Sequence, residues 1–241
     1  MKAMFFYGFS AVQIYVDDFV KTVVAFGDSI THMGFVSNEL YKRLYQKYPG
    51  YIVFQNCGIG GNRLLQDATY IEDAPGHAKM FGVAGRKRFE EDVFGTDSVD
   101  SVLTLIGIND IMHPVQFECE GKVPVKAEEL EEGYRYLAEV TKKHHARIFG
   151  ATITPCGNNQ YPDQWLELFE KTREPVNEWL RNTDIFEKVF DYDAAVRDSD
   201  KRGYMKEEYH IGDGLHPNKK GGKAIVDVID LSLLVGELSK K

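Results

Sequence analysis

The sequence predicts one α/β domain built on a parallel sheet of about five strands with helices on both faces. Three observations carry this reading: short apolar runs recur at intervals, segments of helical spacing separate them, and small polar residues with glycine or proline follow the runs. The runs are residues 23–26, 52–54, 102–106, 148–153 and 189–190. Each is too short for a helix and too continuous for a half-exposed antiparallel strand, so each reads as a strand covered on both faces.

The elements follow in order. Residues 1–20 stand apart from the regular alternation, with extended segments over 4–9 and 12–16, and the domain proper runs over 21–241. After the first run comes Gly27-Asp28-Ser29-Ile30-Thr31-His32, then a helical pattern in Leu40, Tyr41, Leu44, Tyr45 and Tyr48. The second run leads into Asn56-Cys57-Gly58-Ile59-Gly60-Gly61-Asn62-Arg63 and a looser helical candidate over 77–94. Gly107-Ile108-Asn109-Asp110 ends the third run, and Leu130, Tyr134, Leu137, Ala138 and Thr141 mark the next helix. The fourth run ends in Thr154-Pro155-Cys156-Gly157-Asn158, ahead of a helix over 163–182 in which Pro175 is expected to make a kink or start a second helix. Beyond the fifth run, Asp213-Gly214-Leu215-His216-Pro217 precedes a last helix, expected to open at Pro217 and to bury Ile225, Val228 and Ile229.

Composition narrows the partners. The 241 residues hold 29 Lys+Arg against 37 Asp+Glu, a formal charge of −8, which argues against a nucleic-acid partner. With 43% apolar and 27% charged residues the chain has the makeup of a folded globular protein. Cys57, Cys119 and Cys156 form no CxxC pair and are odd in number, so they read as reduced and structural. Asp17 and Asp18 interrupt the N-terminal apolar patch, and no window approaches the roughly 20 apolar residues of a membrane span. The expectation is a soluble, unexported, cytoplasmic protein without a membrane partner; its oligomeric state stays open.

In open parallel sheets, ligands bind outside the carboxyl ends of the strands, and every block of unusual residues falls there. Singly, each has a structural reading: Gly-Asp-Ser as a turn, the glycines at 60 and 61 as a tight turn, Asn109-Asp110 and Asp213-x-x-His216 as helix starts. Together, on one rim, they allow acyl transfer. A serine hydroxyl needs a base, and the neutral imidazole of His216 can take its proton. Asp213, three residues earlier, can hold the other ring nitrogen. The backbone N–H groups of Ser29 and Gly61 and the side-chain amide of Asn109 can receive the oxyanion, with no Cβ at Gly61 to hold the substrate off. No metal or other cofactor is needed by this scheme.

With these four blocks, the chain resembles the SGNH hydrolases, or GDSL-type esterases and lipases. Gly27-Asp28-Ser29-Ile30 stands for the first block, with isoleucine in place of leucine; Gly61, Gly107 to Asp110, and Asp213 with His216 stand for the others, over roughly residues 22–233. The resemblance implies a flavodoxin-like three-layer α/β/α sandwich, with Ser29 as nucleophile, His216 as base, Asp213 as its orienter, and Ser29, Gly61 and Asn109 as the oxyanion hole. Residues 60–65, Arg88-Phe89 with Asp92-Val93, and 107–111 are similar to a bacterial subgroup associated with carbohydrate deacetylation. That subgroup commonly carries a β-rich module upstream, and residues 1–20 resemble the tail of one.

Around this core, His32 and His113 either line the pocket or serve as structural histidines. Asn62 and Arg63 are candidates to meet substrate, Arg63 through a carboxylate or sugar hydroxyl, unless it pairs with a neighbouring acid. Trp165 and Trp179 read as core residues rather than sugar platforms, and His144 and His145 as complements to the carbonyl end of their helix. Polar loops and the lack of an apolar lid helix favour a short acyl group on a polar alcohol: a small-molecule or carbohydrate ester, most simply an acetylated sugar. A lipase or thioesterase of the same family is the nearby alternative. Two rivals come from other classes: a metal-dependent phosphoesterase using Asp28, Asn109, Asp213, His210 and His216, and a non-catalytic sugar-binding module.

Overall fold

The computed structural model describes residues 15–67, 81–95, 98–117, 120–157 and 162–238. Residues 1–14, Cys119, Asn158 and positions 77–80 of the looser helical candidate lie outside them.

Five strands form one sheet: β1 (Lys21–Gly27), β2 (Ile52–Gly58), β3 (Ser101–Leu105), β4 (Arg147–Ala151) and β5 (Lys188–Phe190). Their order is β2-β1-β3-β4-β5, and every pairing is parallel. The helices are α1 (Ser29–His32), α2 (Ser37–Lys47), α3 (Gly85–Phe94), α4 (Ile108–Gln116), α5 (Ala127–Lys143), α6 (Asp163–Asn182), α7 (Tyr192–Val196), α8 (Lys219–Asp227) and α9 (Leu231–Val235).

Strand alternation sends neighbouring residues to opposite faces, which is why continuous apolar runs are required. Val24, Val102 and Ile148 pack with α3, α4, α5 and α6 through Phe89, Ile111, Leu137 and Val176. Their neighbours Val23, Leu103 and Phe149 pack with α2, α7, α8 and α9 through Leu40, Val196, Ile225 and Leu234. The result is the three-layer sandwich. Burying a side chain the size of Phe89 contributes about 1.5–3 kcal/mol, and its ring adds an edge-on contact with Phe26, centroids 4.9 Å apart.

Three expectations are corrected. Of the two expectations for Pro175, the second helix is set aside: α6 runs from Asp163 to Asn182 with the proline inside it, on the exposed face, where water can satisfy the carbonyl it leaves without a partner. The helix near the C-terminus opens at Lys219 rather than Pro217, because the Asn218 side chain accepts from the N–H groups of Lys220 and Gly221. It also stops at Asp227, so Val228 is 41% exposed while Ile225 and Ile229 are buried. Helices α1, α7 and α9 carry no helical pattern that the sequence reading resolves, whereas α4 begins where Asn109-Asp110 reads as a helix start. Trp165 and Trp179 do pack against the core. Besides capping its helix, the His144 ring bonds Glu90 across 2.8 Å and stacks on Phe94.

Because β2 and β3 flank β1 on opposite sides, the chain reverses direction across the sheet at β1. This is the place where an open α/β sheet forms its crevice, and Ser29 stands just beyond it.

Candidate active site

The first contributor is the turn out of β1. Asp28 caps α1, its Oδ1 accepting from the Ile30 N–H at 3.0 Å, so that Ser29 becomes the first helical residue at the sheet's carboxyl edge. Asp28 is wholly buried, and its Oδ2 has no hydrogen-bond partner among the described residues. Burial, reinforced by the nearby Asp110 carboxyl, outweighs the Ile30 bond and the Arg88 charge and lifts its pKa to about 7.

The second contributor is the loop 210–217, closed by a bridge between His210 and Pro217. Within it the Asp213 Oδ1 accepts from the N–H groups of Leu215 and His216, at 3.0 and 2.9 Å. The Asp213 Oδ2 lies 2.6 Å from the His216 Nδ1, and the His216 Nε2 lies 2.8 Å from the Ser29 Oγ. Burial draws the Asp213 carboxyl upward, but the bonds from the His216 ring, the His216 N–H and the Leu215 N–H prevail and hold it below the usual carboxylate range. A carboxylate can only accept, so Nδ1 carries the proton, Nε2 offers its lone pair, and the serine hydroxyl donates to it.

His210 holds this loop from inside. Its Nδ1 accepts from the N–H groups of Gly212 and Gly214, at 3.0 and 3.1 Å, while its carbonyl accepts from the Asn218 Nδ2 at 2.9 Å. Both glycines have positive φ, 108° and 72°, which is how two N–H groups so close in sequence turn toward one ring nitrogen. Sequence reading placed His210 only in a metal set; the acceptor role depends on loop backbone angles that no spacing reveals.

The third contributor is the pair of loops after β2 and β3. Gly61 has φ 73°. The Asn109 side-chain amide, in the first turn of α4, donates one N–H to the Asn62 carbonyl at 3.0 Å. Asp110 beside it is buried and accepts from the N–H groups of Leu64 and Leu65, at 2.7 and 2.9 Å, fixing the loop that follows Gly61. Burial opposed by those two bonds leaves its pKa at about 6.

Arg88 ties the first and third contributors together. Its guanidinium donates to the Gly27 and Cys57 carbonyls, at the ends of β1 and β2, and to the Asn62 Oδ1. It also pairs with Asp92 and lies over the Phe26 ring. The sequence hint was an arginine on the inner face of a helix otherwise marked by apolar residues.

Of the expected substrate-facing residues, only His32 is exposed, its Nδ1 3.1 Å from the Gly58 carbonyl. Asn62 is instead fully buried, its amide donating to the carbonyls of Phe81 and Val83 at 2.7 and 2.8 Å. Arg63 is buried near Asp110 and His113. His113 is buried against Phe81 and Phe117, and burial with the Arg63 charge pushes its pKa down to about 3.

The ionisable residues of the metal alternative, Asp28, His210, Asp213 and His216, are engaged in other bonds. His216 is held between Asp213 and Ser29, His210 Nδ1 takes two N–H groups, and Asp28 bonds Ile30. No cluster of three or more His, Cys, Asp or Glu able to hold a metal ion occurs among the described residues. Nor, among them, is any helix long and apolar enough to cross a membrane.

Comparison with known proteins gives one family and one fold. The model of the GDSL-like lipase/acylhydrolase family matches residues 25–224. No curated protein sequence matches the chain. Among solved structures, a carbohydrate acetylesterase family member from Sinorhizobium meliloti aligns with TM-score 0.61 and 15% identity, covering 90% of this chain and 100% of that one. An α/β hydrolase from the metagenome of Lake Arreo, Spain, gives 0.59 and 19%, covering 94% and 99%. An acetyl xylan esterase from Geobacillus stearothermophilus gives 0.57 and 22%, covering 92% and 97%. At these identities the likeness is one of fold.

Proposed function

Since the chain belongs to the GDSL-like lipase/acylhydrolase family, a family of ester hydrolases, we propose that it removes short acyl groups, foremost acetyl, from a carbohydrate, with Ser29, His216 and Asp213 as its catalytic triad. The observation that carries the reading is the unbroken chain from the Asp213 Oδ2 through both nitrogens of His216 to the Ser29 Oγ, at 2.6 and 2.8 Å.

In the first half-reaction the Ser29 Oγ bonds to the ester carbonyl carbon as its proton passes to the His216 Nε2. Asp213 stabilises the imidazolium that forms. The charge on the former carbonyl oxygen is received by the N–H groups of Ser29 and Gly61 and by the second N–H of the Asn109 amide. The first N–H of that amide, held on the Asn62 carbonyl, fixes the direction of the second. Collapse breaks the bond to the alcohol oxygen, which takes the proton from His216 and departs. Water then attacks the acyl-serine by the same route, releasing the acid.

The acetyl and carbohydrate parts of the reading draw on the polar loops of the rim and on the activities stated for two proteins of the same fold, an acetyl xylan esterase and a carbohydrate acetylesterase family member. A panel of p-nitrophenyl esters and acetylated oligosaccharides, with Ser29→Ala as the blank, tests it. Acetate release from the sugars with a preference for acetyl over longer esters is expected. Equal turnover of acetate and dodecanoate esters, with no acetate released from sugars, would refute the carbohydrate reading.

A further inference from the structure

We propose that Phe81 is the residue that limits the length of the acyl group, acting as a fixed wall beside the oxyanion glycine; this rests on the acyl-transfer reading above. A Cβ placed on Gly61 would stand 2.1 Å from the Phe81 Cδ1 and 2.6 Å from its Cε1, so the ring occupies the space that any side chain at position 61 would need. The ring therefore lies against the Gly61 Cα. That Cα is one covalent bond from the N–H that receives the carbonyl oxygen, and the acyl substituent is borne on the carbon of that same carbonyl. Chain added to the acyl group grows in the neighbourhood of the ring.

The wall cannot easily retreat. The Asn62 amide grips the carbonyls of Phe81 and Val83 at 2.7 and 2.8 Å, and the Asn62 Oδ1 is itself held by the Arg88 Nε at 2.9 Å. The Phe81 ring also meets His113 and Phe117, with centroids 5.3 and 6.0 Å away. His113 is only 4% exposed, so the ring is backed by packed interior. Phe81 itself is half-buried, leaving part of its surface toward solvent. Its position also separates the two halves of an ester. The alcohol departs with the proton of His216, on the 210–217 loop, whereas Phe81 belongs with the loop after β2. A change at 81 should act on acyl length and leave alcohol preference alone.

The test is the kcat/KM series for p-nitrophenyl acetate, butyrate and hexanoate, run beside p-nitrophenyl and 1-naphthyl acetate as the alcohol series. Phe81→Ala should raise the hexanoate-to-acetate ratio about tenfold or more, the scale on which an apolar pocket discriminates chain length. Phe81→Leu should raise it less, and Phe81→Trp should lower the butyrate-to-acetate ratio; this graded pair decides the matter if the alanine variant does not fold. Ratios that stay within about twofold of wild type in variants whose Ser29 still takes a fluorophosphonate would overturn the proposal. So would a change confined to the alcohol series. Failure of the underlying reading looks different: the wild-type protein would turn over none of these esters and Ser29 would take no label.

Discussion

The side-chain amide of Asn109 donates to the main-chain carbonyl of Asn62 across 3.0 Å, which joins the loop after β3 to the loop after β2. Asn62 in turn binds Phe81, Val83 and Arg88 through its own amide, and Arg88 reaches the ends of β1 and β2. Three loops remote in sequence are thus locked to one another before any substrate arrives, which is the preorganisation that oxyanion stabilisation requires.

Two asparagines should therefore behave differently when removed. On the proposed mechanism Asn109→Ala deletes a transition-state donor, so kcat should fall about 10²–10³-fold with little change in KM. Asn62→Ala removes the partner of the Phe81 and Val83 carbonyls and of the buried Arg88 Nε, and stranding that buried donor costs about 1–3 kcal/mol of stability. It should lower kcat as well, although the Asn62 side chain points away from the substrate. Steady-state kinetics and urea unfolding check both; a kinetically silent Asn109→Ala would remove the amide from the oxyanion hole.

His210 should prove to be a positioning residue. An alanine there removes the shared acceptor of two loop N–H groups and loosens the loop that carries Asp213 and His216, so kcat should fall about tenfold or more while KM moves little. Asparagine, whose side-chain oxygen can accept in place of Nδ1, should recover part of the rate. The low-field proton resonance of the 2.6 Å bond between the His216 Nδ1 and Asp213 should broaden or shift in His210→Ala and return toward wild type in His210→Asn. An unmoved resonance and unchanged kcat in the alanine variant would show that the loop holds its shape unaided.

Asp28 makes stability depend on pH in a definite direction. Its pKa rises from 3.8 unfolded to about 7 folded, so the folded state holds the proton more tightly. The stability this contributes is complete below about pH 4 and is lost as pH rises through 7, at up to about 1.4 kcal/mol per unit. Asp28→Asn should accordingly be more stable than wild type at pH 8, with the difference shrinking as pH falls toward 4. His113, whose folded pKa is about 3 against 6.5 unfolded, works the other way between those values, and Asp110 works with Asp28 up to about pH 6. His113 is present in both proteins and drops out of the difference between wild type and Asp28→Asn, which reports Asp28 together with its coupling to Asp110. A difference in urea midpoint that is constant from pH 4 to 8 would show that Asp28 is ionised in the fold.

On the proposed mechanism His216→Ala removes base and acid together, whereas Asp213→Asn keeps the imidazole and loses its orientation. Both should lower kcat, by about 10⁴-fold or more, with the histidine change the larger. The reverse ranking would mean that the ring is not the proton carrier.

Much of this architecture was legible because it depends on local pattern. Alternation in pairs such as Val23 and Val24 forces burial on two faces, and two buried faces with crossovers force a parallel sheet whose carboxyl edge gathers the loops. The meeting of Ser29 with His216, 187 positions apart, follows from that topology. What escaped depends on backbone angles and on which face of an element a residue takes. Pro175 falls inside α6 on its exposed face, and the helix near the C-terminus opens after Asn218 rather than at Pro217 because the Asn218 side chain can cap. Asn62 sat within a recognisable motif, yet it turned inward as a scaffold. Phe81 belongs to no motif and stands against Gly61 because Asn62 holds its backbone and His113 and Phe117 pack on its ring.

The most direct test of the central claim is intact-mass and peptide analysis after a fluorophosphonate is added, with and without EDTA. The account predicts one adduct per chain, on Ser29, formed equally with chelator present and abolished in His216→Ala. Wild-type protein that remains unmodified, or that carries the adduct on another residue, would contradict it.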